Sequence, residues 1–514
     1  MTVYNINRGI GWASSGVEYA QAYRANLLRR IGVPIRFIFT DMFRMENIEH
    51  MTKNIGFEDH EVIWLYSYFT DFPIEPTTYT LRQLEDTFAD KPTSMVRDKK
   101  VVRYSFEDNR YANAYLRFEG QDIVQRVEYV CAGKLVRKDY YTSGRLFSEY
   151  YSPVNNEAHL YLRRFFNRDG SEALCEIMDG ETDLYRVGTK LFFSKPRFIA
   201  YFISCLGLTA DDVLIIDRAT EIGQAVLHEH GDCRIGSVVH AEHYNENRTD
   251  DDNILWNNYY EYEFSNADKL DFLITSTDAQ KVILAHQMEK YQHMRPHIVT
   301  IPVGSLDELK YPDGPRRKHA MITASRLADE KHIDWLVRAT VMARESVPDI
   351  SLDIYGMGGE EEALKSLIKE LHAENYIHMM GHHKMDDIYR NYEAYAAGST
   401  SEGFGLTLME AVGSGLPMLG FDVHYGNQTF IADGENGCLI PYNASDSTTR
   451  KVAQLAQAMV KIFTKADIDS YIRKSYEIAE DYLTDRIVDR WRRLLLPDGI
   501  GTGGNHEKKE ASQA

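Results

Sequence analysis

The sequence predicts an α/β protein: two Rossmann-like units, each a doubly wound parallel sheet, face a cleft, and an antiparallel β-sheet domain is inserted in the N-terminal half. Three observations carry this. Short apolar runs alternate with amphipathic helical patterns near both ends of the chain, the texture of βαβ units. From about Arg82 to Lys195 that texture gives way to aromatic and β-branched segments, with turn pairs every 10 to 14 residues. Such spacing is that of an antiparallel meander. The third observation is length: 514 residues suffice for about three domains.

In chain order, VYNINRGIG reads as a strand running into a glycine loop, GVEYAQAYRANLLRRIG as an amphipathic helix, and IRFIFTDM as the next strand. They open the first unit, 1–81. The insertion, 82–195, is punctuated by Glu119-Gly120, Ala132-Gly133, Ser143-Gly144, Asn155-Asn156, Asp169-Gly170 and Asp179-Gly180. Between Lys91 and Gly170 it carries 15 Lys+Arg against 10 Asp+Glu, a local +5 in a chain of −19. Its tyrosines (Tyr104, Tyr111, Tyr115, Tyr129 and Tyr140 among them) suit either a binding face for a protein, a polyanion or, by stacking, nucleic acid, or else sheet pairing beneath solvated charges. DDVLIIDR, CRIGSVVHAEHY, LDFLITST and HIVTIPVG then resume the first unit over 196–303. A second series, from AMITASR to CLIPY, makes the second unit, 304–497, and the polar, glycine-rich 498–514 reads as a disordered tail.

Composition excludes several classes. With 44% hydrophobic and 26% charged residues the chain is neither fibrous nor disordered. The net −19 disfavours nucleic acid and anionic lipid as general partners. No apolar run approaches the ~18–20 residues of a membrane span, and the N-terminus has no signal-peptide pattern. Five scattered cysteines without a CxxC fit reduced thiols in a cytoplasm, not a disulfide framework or a zinc site.

In doubly wound folds ligands sit beyond the carboxyl ends of strands. Four loops there carry candidate chemistry. Gly16 opens the first helix after Gly9–Ser15 and leaves a backbone N–H free to approach an anion, or simply makes a tight turn. Arg326 and Lys331, five apart in a strand-to-helix loop, could both point at one diphosphate and stabilise a departing nucleotide. His382 and His383 follow the strand YIHMM and could border a base; a metal there lacks a carboxylate at ligand spacing. The strongest is Glu402-Gly403-Phe404-Gly405-Leu406-Thr407, with Glu410 eight residues after Glu402. There a helix N-terminus offers N–H groups to phosphate while the two carboxylates can hold hydroxyls. Asp250-Asp251-Asp252 reads as an acidic loop, since the two cations already supply what a metal would.

SRLADEK, YGMGGE, SEGFGLTLMEAVGSGLP and DGENG resemble the C-terminal half of family 4 retaining glycosyltransferases, with their two-Rossmann GT-B fold and E-x7-E motif. MTVYNINRGIGWASSGVEYAQAYR, the β insertion and SVVHAEHY are similar to a narrower group. That group is the A subunits of the accessory Sec O-glycosyltransferases (GtfA), which modify serine-rich-repeat adhesins before export. The resemblance implies UDP-N-acetylglucosamine (UDP-GlcNAc) as donor, serine or threonine hydroxyls as acceptor, no metal cofactor, and a homologous B subunit as partner. It places Gly16 by the phosphates, Arg326 and Lys331 on the diphosphate, His382 and His383 at the uracil, and Glu402 with Gly403, Phe404 and Gly405 along the sugar. Leu406 and Thr407 would lie at the phosphate and Glu410 at the ribose. His240 would face the sugar, with His243 three residues on as its rival. Any membrane contact would be peripheral, and the β insertion is the expected partner surface. A wall teichoic acid (polyribitol phosphate) α-N-acetylglucosaminyltransferase is the alternative, since a basic insertion also suits a polyphosphate acceptor.

Overall fold

The computed structural model describes residues 1–10, 16–178, 180, 183–465 and 467–496; the expected tail and the Gly11–Ser15 part of the first loop lie outside them. The first unit is a seven-stranded parallel sheet in the order 298–300, 272–275, 234–239, 213–216, 3–7, 35–39 and 62–64. Its central strands are apolar on both faces, with Val213–Ile216 and Phe272–Thr275 buried throughout, because helices cover both sides. Side-chain caps mark where helices begin: Asn47 accepts from the Glu49 N–H and Thr277 from the Gln280 N–H.

The insertion forms a ten-stranded antiparallel meander from Ser94 to Phe192, each strand pairing with its neighbours in sequence. Asn155 and Asn156, with φ of 49° and 68°, form the two-residue turn between 145–154 and 157–166. The sheet is not a free-standing module. Phe147, Phe165 and Tyr185 join the core of the first unit with Trp64, Tyr66 and Phe198, and the Tyr66 ring stacks on Phe165 at 5.3 Å. Its positive charges are largely engaged within the sheet. Arg103, Arg126 and Arg137 lie over the rings of Tyr111, Tyr115 and Tyr129 at 4.6, 4.3 and 4.3 Å. Buried Arg163 pairs with Glu149 at 2.8 Å and also with Glu176.

The second unit is a six-stranded parallel sheet in the order 377–381, 351–355, 320–324, 394–396, 418–421, 437–440. Separate apolar clusters fill its two faces. One segment departs from the expected division of the chain. The sequence reading gives everything from 304 to 497 to the second unit, but Thr484–Leu495 packs against the first. Ile487, Val488, Trp491, Leu494 and Leu495 join the first core, and Arg234 donates to the Leu494 carbonyl at 2.8 Å. No helix among the described residues is long and apolar enough to cross a membrane.

Candidate functional site

Loops at the carboxyl ends of both sheets meet across the cleft. On the second unit's side, the turn after Ala320–Ala324 carries Ser325–Lys331, and a neighbouring glycine loop presses against its backbone. A Cβ on Gly356 (φ 134°) would lie 1.9 Å from the Ser325 carbonyl oxygen, and one on Gly358 2.2 Å from that of Leu327. Only glycine lets these backbones approach so closely. The chain thereby presents Lys331, whose Nζ donates to Glu402 Oε2 at 2.7 Å. Both side chains are mostly shielded, at 14% and 20% exposure, so the pair is stronger than one on open surface.

Gly405, at φ 87°, starts the helix Leu406–Gly413. The Tyr395 hydroxyl donates to the Ala324 carbonyl at 3.1 Å and lies 2.9 Å from Thr407 Oγ1. Tyrosine has one proton, so Thr407 donates in the second bond. What Thr407 can offer an anion is therefore its backbone N–H at the helix start. Glu410, on the same helix, accepts from the Tyr389 hydroxyl at 3.0 Å. Burial pushes its carboxyl up to about 7. Tyr23, from the first helix of the opposite unit, is near enough to feel that charge: burial first, then Glu410, pushes its phenol up to about 12.

On the first unit's side His240 is held from behind. Its Nε2–H donates to Asp217 Oδ1 at 2.8 Å, since the carboxylate only accepts, and in the neutral ring Nδ1 is then the accepting nitrogen. Asp217 in turn takes a two-pronged contact from Arg24 at 2.8 and 3.0 Å and a third from Gln21 at 2.8 Å. Burial alone would raise this carboxyl, but Arg24 and then His240 hold it well below the usual carboxylate range. Gly403 is drawn close to this wall: a Cβ there would come within 3.2 Å of the His240 carbonyl oxygen.

His243 is different. It is fully buried, with Nε2 bonded to Gln287 Oε1 at 2.8 Å and Nδ1 to the Tyr425 hydroxyl at 2.8 Å. Burial pushes it down to about 4, and neither ring nitrogen is left for a ligand. It ties the two units together, since Tyr425 belongs to the second.

Lys331, Glu402, Gly403, Gly405, Leu406 and Thr407 are thus brought together opposite His240, with Glu410 one helical turn behind. Gly16 opens the helix Gly16–Arg30, and a Cβ there would meet nothing within 4 Å among the described residues. Three expectations are modified. Arg326 does not converge with Lys331: it is 79% exposed and pairs with Glu330 at 3.1 Å, because Lys331 is drawn inward to Glu402. Phe404 turns its ring into the core, edge-on to Phe430 at 5.3 Å, so only its backbone faces the cleft. His382 and His383 are both exposed after Ile377–Gly381, and His383 Nε2 donates to the Met380 carbonyl at 3.0 Å. Asp250 accepts from the Asp252 and Asn253 backbone in an exposed turn; among the described residues no group of three His, Cys, Asp or Glu side chains could hold a metal ion.

Sequence reasoning missed Asp217, Arg24, Gln21, Tyr389, Tyr395 and Tyr425. Asp217 alone carried a signal, as the acidic end of the apolar strand VLII.

Comparison with known proteins matches this architecture segment by segment. Residues 312–461 match the family described as Glycosyl transferases group 1, and 94–189 match the GtfA extended beta-sheet domain. The UDP-N-acetylglucosamine–peptide N-acetylglucosaminyltransferase GtfA subunit of Streptococcus gordonii is 53% identical over 96% of this chain and 98% of its own. A solved GtfA/B complex superposes with a TM-score of 0.93 at 53% identity, covering 96% of this chain and 99% of that one. The pneumococcal O-GlcNAc transferase GtfA, solved with UDP and GlcNAc, gives 0.86 at 47% identity, over 96% and 98%. Poly(ribitol-phosphate) alpha-N-acetylglucosaminyltransferase of Staphylococcus aureus is more distant, 25% identical over 60% of each chain. With both units, the inserted sheet and near-complete overlap shared, the chain belongs to the GtfA-subunit family of glycosyltransferases.

Proposed function

We propose that this chain transfers N-acetylglucosamine from UDP-GlcNAc, with retention, to serine or threonine hydroxyls of a serine-rich-repeat adhesin, working with a homologous B subunit in the accessory Sec route. The observation that carries the reading is the shielded Lys331–Glu402 pair, set against a helix N-terminus and facing His240 across the cleft. The uridine runs along His382, His383 and Glu410, whose carboxyl takes the ribose hydroxyls. The diphosphate meets Lys331, the N–H groups of Leu406 and Thr407, Gly16, and Arg326 swung in from solvent. The sugar lies between Glu402, the Gly403–Gly405 backbone and His240, with Nδ1 of the histidine accepting from a hydroxyl.

Glu402 is held by Lys331 and is suited to hydrogen-bond the sugar. Transfer is therefore a same-face displacement. The bond from C1 to the diphosphate oxygen breaks, the acceptor oxygen bonds to C1 on that face, and its proton passes to the departing phosphate. Lys331, Arg326 and the helix N-terminus carry the charge that builds up there, so activity is expected to survive EDTA. The edge strand Ser94–Asp98 is exposed along its whole length, with Met95 and Val96 outward, and is the part of the insertion suited to the B subunit. Contact with the inner face of the membrane would be peripheral.

The test is intact-mass detection of transfer from UDP-GlcNAc to a serine-rich peptide and to poly(ribitol phosphate), with and without the B subunit. Sugar on the peptide, increased by the partner, supports the reading; sugar on the polymer alone overturns it. Arg326→Ala should lower transfer at least 100-fold with no change in melting temperature. A fully active variant removes Arg326 from the mechanism.

A further inference from the structure

A second concavity opens beside the donor site. It is a groove of about 740 Å³ between the two units. Asn245, Asn247, Asn258 and Tyr259 line it from the first unit, Thr400 and Tyr442 from the second. Its position follows from strand order. Along the carboxyl edge of the second sheet, the histidine pair follows 377–381, the cationic loop follows 320–324, and Glu402 follows 394–396. Continuing in the same direction, past the sugar position, come 418–421 and 437–440, and the loop after 437–440 carries Tyr442 and Ala444 into the groove. The junction is direct. Glu242, in the groove wall, accepts from the Ser401 hydroxyl at 3.3 Å, one residue from Glu402.

The lining has a definite chemistry. It holds amides, hydroxyls and aromatic rings, two carboxylates (Glu242 and Glu246), and no lysine or arginine. Two cations lie against its rings: Arg218 is 5.5 Å from the Tyr259 centroid and Lys451 5.0 Å from that of Tyr442. Asn245, Asn247 and Asn258 are exposed, and their side chains have no hydrogen-bond partner among the described residues. Tyr259 is 49% exposed and Leu255 43%. Free amides beside exposed rings suit extended peptide backbone and sugar hydroxyls. A lining with two carboxylates and no lysine or arginine of its own disfavours a polyphosphate.

We propose that this groove holds the acceptor: an uncharged, hydroxyl-rich peptide segment, which delivers its serine or threonine to the sugar beside Glu402. The inference rests on the transferase reading above and adds the acceptor's path and charge preference. In the groove, asparagine side chains pair with the peptide backbone while Tyr259 and Leu255 cover its side chains.

The experiment compares wild type with the triple variant Asn247→Ala/Asn258→Ala/Tyr259→Ala, each purified with the B subunit. Measured are KM for a serine-rich peptide, UDP-GlcNAc hydrolysis without peptide, and UDP binding. All three positions are surface side chains outside the donor site. The expected result is a peptide KM raised at least tenfold, with hydrolysis and UDP affinity within twofold of wild type. An unchanged peptide KM overturns the groove while leaving the function standing. Loss of the complex with the B subunit also overturns it, by making the face a subunit contact. Failure of wild type to modify the peptide at all overturns the transferase reading, and this inference with it.

Discussion

Glu410 shows how one buried carboxyl links pH to binding. With its carboxyl pushed up to about 7 by burial, it is part-protonated near neutrality and accepts hydroxyl protons fully only above that. UDP affinity should therefore rise as pH increases from 6 to 8, by up to about tenfold, one pKa unit being worth about 1.4 kcal/mol. Calorimetric titration across that range checks it: Glu410→Gln should bind more weakly at pH 8 and lose the dependence. The stability effect runs the opposite way. The folded state holds this proton more tightly than the unfolded chain does, so the contribution is full below about 4.5 and lost as pH rises through 7. Glu402 and Glu410 were both legible from their eight-residue spacing in a glycine-framed motif. Which side chains pair in the site was not legible. Lys331 lies 71 positions from Glu402, and Arg24 lies 193 from Asp217; no local pattern encodes contacts at such separations.

Between elements, the Tyr425–His243 bond joins the loop after 418–421, which braces Glu402, to the loop bearing His240. The Glu402 carbonyl accepts from the Tyr425 and Gly426 N–H groups at 2.6 and 2.8 Å, so displacing Tyr425 moves Glu402. Tyr425→Phe leaves the ring packed but strips a buried nitrogen of its donor, a cost of about 1–3 kcal/mol. UDP, held by the second unit, should bind as before while kcat falls, which a comparison of UDP affinity with transfer rate will read. Acid should act on the same bond. His243 is pushed down to about 4, so the unfolded state binds the extra proton first. Stability is then lost as pH drops from about 6.5 towards 4, by up to about 3 kcal/mol. An acid melting series on wild type and His243→Gln measures it, and the variant's slope should be shallower. At this scale the meander was legible where turn residues announce themselves, as at Asn155-Asn156. The turn at Lys99, with φ of 49°, was not read, because a lysine in that conformation carries no signature.

For the molecule as a whole, the final helix decides how the units are joined. The chain crosses between them near Gly304 and returns at Thr484, whose hydroxyl contacts Ser305 and Asp307 at 3.0 and 2.9 Å. Trp491 is 3% exposed in the first unit's core, so Trp491→Ala should cost about 3–5 kcal/mol and lower the first unit's melting transition, resolved by calorimetry. Periodicity reveals that Thr484–Leu495 has an apolar face but not which core receives it, so two cores of similar composition cannot be told apart from sequence. The same arrangement bears on how the protein is made. A chain leaving the ribosome N-terminus first has every strand of its first sheet in hand by residue 300, yet the helix that covers part of that sheet emerges almost two hundred residues later. Throughout the synthesis of the whole second unit the first keeps an apolar stripe uncovered. That uncovered stripe is where a nascent first unit offers apolar surface for premature association until residues 484–495 arrive.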